Sequence, residues 1–106
     1  MLSQSRLNKI AEMENILNEA EEFIAEAEQF LEKWQVFLPK MKALESYYFD
    51  GKWRHDHDAY SEGKIPEDMP CGVLSEDGVF NASTGHHGLA IEYLKVVAKV
   101  LDQAKD

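Results

Sequence analysis

A chain of 106 residues with 44% apolar composition holds one domain with a modest core, and its composition excludes disorder as the default state. Twenty acidic residues against 11 basic ones give a net charge of −9. Such a surface repels phosphate backbones and anionic lipid, which disfavours direct nucleic-acid or membrane binding and favours a basic protein partner. The single cysteine, Cys71, excludes an internal disulfide framework and fits a reducing compartment. No run approaches the roughly eighteen apolar residues of a membrane span, and Met1 to Arg6 lacks the order of a signal peptide, so a cytoplasmic protein is expected.

Ser3 or Ser5 is placed to cap a first helix that meets no breaker until Pro39. Within it, apolar residues recur every seven positions in three adjacent columns. These are Ile10, Leu17, Ile24, Leu31 and Leu38; Met13, Ala20, Ala27, Trp34, Met41 and Tyr48; and Ile16, Phe23, Phe30, Phe37 and Leu44. Three columns make a stripe wide enough for two neighbours, which predicts a helical bundle rather than a two-stranded zipper. Glu12, Glu19 and Glu26 form one flanking column, and Glu14, Glu21 and Glu28 the other. Pro39 predicts a kink or short break, because it lacks a backbone donor while the apolar register continues past it.

Asp50-Gly51 reads as a turn, with Asp50 capping a short helix over 52–61 that packs Trp53 and Tyr60 onto the bundle. Residues 65–74, with Pro66, Pro70 and Gly72, read as an extended crossing segment. Ser75-Glu76-Asp77 carries a capping hydroxyl and two carboxylates suited to a helix start. A short helix with Val79 and Phe80, a turn-rich stretch over 81–88, and a final helix from His87 to Ala104 are then expected. Ala90, Tyr93, Leu94, Val97, Val100, Leu101 and Ala104, with Leu89 and Val96 beside them, give that final helix an apolar stripe to set against the first helix. The fold class is therefore all-α: a single helical domain over 1–106, built on a long N-terminal helix kinked at Pro39 and packed against a C-terminal helix. Phe23, Phe30, Leu31 and Trp34 are its expected core.

The chemistry-bearing residues are sparse. His55 and His57 interleave with Asp56 and Asp58, and His86 and His87 are adjacent. Imidazole and carboxylate suit zinc and similar metals, but a spacing of two on a helix sends side chains to opposite sides. No metal or other cofactor is expected. Cys71 sits in Pro70-Cys71-Gly72 without a cationic neighbour to activate a thiol. Phosphate-cradling glycine loops, a nucleophile elbow and HExxH are absent. Tyr47, Tyr48, Trp53, Arg54 and Tyr60 cluster at the turn, and Trp, Tyr and Arg are the types that dominate protein-binding hot spots. The alternative is that they form the core at the end of the bundle.

Tyr47-Tyr48, Trp53, Lys64-Ile65-Pro66 and above all Gly72-Val73-Leu74-Ser75-Glu76-Asp77 resemble the small bacterial proteins grouped as domain of unknown function 4298. The similarity extends to the glutamate-rich first helix and the apolar last one. It implies a compact α-helical domain of a bacterial cytoplasm and brings no activity with it. His55-Asp56-His57 and Cys71 depart from that pattern.

The expected function is a non-enzymatic interaction or regulatory module with a protein partner of basic character. One variant is an inhibitor or immunity-type protein masking a basic nucleic-acid-binding surface. The rivals are a metal-dependent enzyme using the His/Asp pairs and a small-molecule binder. A stripe longer than the final helix also predicts a two-fold homodimer in which the long helices cover each other.

Overall fold

The computed structural model describes residues 1–103; Ala104, which the apolar pattern assigns to the last stripe, lies outside them. The architecture is all-α, with no strand among the described residues. The elements are α1 (Gln4–Phe49), α2 (Lys52–Ser61), one 3-10 turn (Gly72–Leu74) and α3 (Gly78–Gln103). The chain divides into two compact units, Met1–Leu38 and Pro39–Asp106.

In the first unit α1 starts where Ser3 Oγ accepts the Arg6 N–H at 3.2 Å, which selects Ser3 over Ser5 as the cap. Pro39 lies inside α1, so the apolar register passes it within one helix and there is no break. The expected core falls in this unit and is not buried. Phe23 is 70% exposed and Leu31 54%, Phe30 is exposed, and Trp34 is only half-buried beside Phe30, ring centroids 6.2 Å apart. The physical reason is that Met1–Leu38 contains helix and nothing else. Its columns have no second element within the unit to pack against.

The second unit holds the buried side chains: Met41 from α1, Trp53 from α2, Leu74 from the 3-10 turn and Val79 from α3. Each element thus contributes one buried residue, and Trp53, 9% exposed, is the largest of them. Its indole Nε1–H donates to the Val73 carbonyl at 2.8 Å, its ring lies 5.0 Å from Tyr48, and it stacks on His57 at 4.7 Å. Between α3 and the end of α1, Ser83 Oγ donates to Glu45 at 2.5 Å.

Two local expectations are corrected. Gly51, not Asp50, is the N-cap of α2, in the left-handed region at φ 92 and without a side-chain cap bond; only glycine enters that conformation cheaply. The stretch over 81–88 is helical rather than turn-rich, so the short helix and the final helix are one α3. Gly85 and Gly88 have open space around them, and their cost of about 1 kcal/mol each is borne by a helix well started. Ser75 Oγ accepts the Gly78 N–H at 3.2 Å and donates to the Gly72 carbonyl at 2.7 Å. That is the expected cap, and it explains Gly78. A Cβ there would stand 2.6 Å from Ser75 Oγ and 2.9 Å from the Gly72 carbonyl oxygen.

The contrast between the two units is measurable. Trp53→Ala removes the central ring and its bond to Val73, and is expected to cost about 3–5 kcal/mol. Phe23→Ala, at an exposed site, is expected to change stability by about 0.5 kcal/mol or less. Chemical denaturation of both variants checks this, and a larger loss from Phe23→Ala would move the core back to the first unit.

Candidate interaction surfaces

The five clustered residues at the turn divide by depth. Trp53 is core, and Tyr47 and Tyr48 are half-buried around it. Tyr47 Oη donates to Asp56 at 2.6 Å, joining the end of α1 to α2. Tyr48 Oη reaches the Glu76 carbonyl at 3.5 Å, and its ring meets Phe49 edge-on at 5.0 Å. Arg54 and Tyr60 remain exposed. Tyr60 alone of the five lines a surface groove of about 700 Å³, together with Ile65, Pro66, Glu67, Met69 and Cys71. The turn cluster is therefore divided: Trp53 is core, Tyr47 and Tyr48 are partly covered, and Arg54 and Tyr60 face solvent.

The electrostatics of the Tyr47–Asp56 pair follow from this placement. Burial pushes the Tyr47 phenol up from its ordinary 10.0 to about 12, with the hydrogen bond to Asp56 and the charge of Asp56 adding to it. The Asp56 carboxyl is held below its usual range by the Tyr47 hydrogen bond first and His55 second. Protonated Tyr47 is thus favoured by folding, so its contribution is complete below pH about 10 and is lost as pH rises from there toward 12. The Asp56 contribution runs the other way: it is present above the ordinary carboxylate range and is lost as pH falls through the lowered value.

The histidines do not come together as a ligand set. His55 is exposed, with Nδ1 3.5 Å from Asp56, while His57 is turned onto Trp53 with Nδ1 3.9 Å from Asp58. His86 and His87 border a separate cleft with Glu45, Ser83, Thr84 and Ala90. Among the described residues, no three His, Cys, Asp or Glu side chains are grouped to hold a metal ion. Cys71 is half-buried, its thiol donating to the Met69 carbonyl at 3.2 Å.

Two helix faces carry far more apolar surface than the groove. On α1, Ile10, Ile16, Leu17, Phe23, Ile24 and Phe37 are all exposed between the two glutamate columns. On α3, so are Leu89, Ile91, Leu94, Val96, Val97, Val100 and Leu101. The α1 columns are plain in the sequence as a repeat of seven. The sequence already sets Leu89 and Val96 beside the α3 stripe, and Ile91 was missed because it falls outside the single stripe that a two-helix packing requires. The only signal for it was that apolar residues outnumber polar ones almost all the way round.

The fold and its surfaces define a small acidic all-α protein whose largest exposed features are apolar helix faces. No helix among the described residues is long and apolar enough to cross a membrane. The chain belongs to the family described as domain of unknown function 4298, whose model matches residues 10–96, from the first apolar column to the middle of α3. No curated protein and no solved structure matches it.

The Tyr47–Asp56 link is tested by titrating the four tyrosines by absorbance. One phenol is expected to ionise near pH 12 and to vanish from the curve in Tyr47→Phe. That variant loses about 1 kcal/mol at neutral pH, and its deficit narrows above pH 10. All tyrosines titrating together near 10 would contradict the pairing.

Proposed function

We propose that this chain is a non-enzymatic protein-interaction or regulatory module of the bacterial cytoplasm, and that α1 binds a protein partner with a basic surface. The observation that carries this reading is the exposed apolar face of α1 set between its glutamate columns. Residues 1–38 contain eight glutamates (Glu12, Glu14, Glu19, Glu21, Glu22, Glu26, Glu28 and Glu32) against Arg6, Lys9 and Lys33. Lys9 is drawn to Glu12 at 3.9 Å, and Arg6 and Lys33 are too few to neutralise the rest. Contiguous apolar surface of this extent marks an interaction site in a soluble protein. Flanking carboxylates select a partner with Lys or Arg on both sides of an apolar ridge, chiefly through association rate and specificity. An amphipathic helix laid into the face is the simplest occupant of that kind.

The inhibitor or immunity-type form of this reading is the case in which the partner's basic surface is its own nucleic-acid site. The density of carboxylates along one helix favours it, because such a row imitates the charge of a phosphate backbone. Nucleic acid then competes with α1 for the partner.

A photo-crosslinking residue at Phe23, in the native host, is expected to capture a defined basic protein identified by mass spectrometry. With that protein purified, changing Glu14, Glu21 and Glu28 together to Gln is expected to weaken binding about tenfold at low salt and to flatten its salt dependence. Binding indifferent to these charges, or cross-linking no greater than at an outward residue such as Asn15, would overturn the proposal.

A further inference from the structure

We propose that the groove beside Tyr60 binds an arginine side chain carried on an extended segment of a basic protein. The groove lies wholly within the second unit. The inference deepens the reading that the partner is basic, on which it rests for the source of the arginine, and it names a site apart from α1.

The lining suits a cation with an apolar stem. Tyr60 is 50% exposed and Met69 57%, and with Ile65 and Pro66 they make the wall of the groove largely apolar. Among the described residues, Glu67 is the one charged side chain that lines it. Lys64, the basic residue next to it in sequence, is held instead by Glu62 at 2.8 Å. Over residues 60–77 five carboxylates, Glu62, Glu67, Asp68, Glu76 and Asp77, stand against Lys64 alone. Phosphate and other anions are repelled by such a rim, and cations are drawn to it. A phenol face and a carboxylate in one groove match guanidinium, which stacks on the ring and engages the carboxylate with its planar fork. The stem of the arginine is then covered by apolar side chains while its head stays with Glu67.

The rest of the groove calls for main chain. Its volume of about 700 Å³ falls within the ~300–1,000 Å³ of sites that take a ligand and is more than one side chain fills. Gly72 also lines it. Its φ is not left-handed, and nothing lies within 4 Å of where a Cβ would stand. Neither backbone conformation nor internal packing requires a glycine there, in contrast to Gly51 and Gly78. The remaining use of a missing Cβ is the close approach of a ligand to the backbone. In an extended segment, side chains two apart face the same way, so an arginine followed at that spacing by an apolar residue presents both to the groove.

The test is an amide NMR titration of the isotope-labelled full chain with an acetylated and amidated Ala-Arg-Ala-Leu-Ala peptide, to about 5 mM because short peptides bind weakly. Shifts are expected to concentrate in residues 60–75. Glutamine in place of the peptide's arginine, or Glu67→Gln in the protein, is expected to weaken binding about fivefold, and the Glu67→Gln effect fades at high salt. Gly72→Ala is expected to weaken binding about tenfold with the thermal midpoint unchanged or slightly raised. Absence of shifts in residues 60–75, equal binding of the arginine and glutamine peptides, or shifts confined to residues 4–38 overturns the proposal. So does full-strength binding by both Glu67→Gln and Gly72→Ala. The α1 reading is judged separately by cross-linking at Phe23: a captured basic protein without peptide shifts defeats the groove alone, and peptide shifts without such capture defeat α1 alone.

Discussion

The burial of Trp53 is the interaction on which the second unit depends. An indole is too large to leave half-wet at the meeting of four short surfaces, and its N–H must find an acceptor when buried. The Val73 carbonyl supplies it, and this one bond ties α2 to the crossing segment within the 3-10 turn. From there the chain is fixed step by step. Leu74 is buried next, Ser75 folds back on the Gly72 carbonyl and caps α3, and Val79 closes the cluster at 2% exposure. Gly78 is the residue that lets the cap and the turn approach so closely.

Much of this was legible in the residues and some was not. The helix content, the cap at Ser75 and the short helix carrying Trp53 follow from local signals, because capping chemistry and apolar period act over a few residues. The location of the core does not. A three-column stripe states that α1 has a face to bury but not what buries it, and aromatic residues on that stripe look the same whether covered or bare. The core lies instead where the columns end, at Met41, and where the sequence has proline, glycine and irregular spacing that hide periodicity. The glycines at 85 and 88 misled in the opposite direction. Helix propensity penalises each by about 1 kcal/mol, and a strong start at Ser75 with a long apolar run behind it outweighs that. For the candidate sites, Tyr60 was expected to pack onto the bundle beside Trp53 but is exposed, and the groove it lines is assembled by Pro66 and Met69, whose roles depend on the path of the crossing loop.

The two exposed apolar helix faces differ in the charge that surrounds them. The α1 face is flanked by two columns of glutamates, whereas the charges of α3, Glu92, Lys95, Lys99 and Asp102, are balanced and confined to one narrow strip. The same small core serves both, since it fixes the end of α1 and the start of α3 while spending few apolar residues. Most of the large apolar side chains are thereby left exposed, a division unusual for a chain of this size.

The central claim, that folding rests on the cluster around Trp53, is tested most directly by native-state hydrogen exchange in dilute protein. Amides of residues 53–60 and 74–83 are expected to exchange slowest, and those of residues 7–36 several-fold or more faster, because a helix without tertiary packing is only marginally stable in water. Slowest exchange in residues 10–38, with the amides around Trp53 among the fastest, would contradict the account.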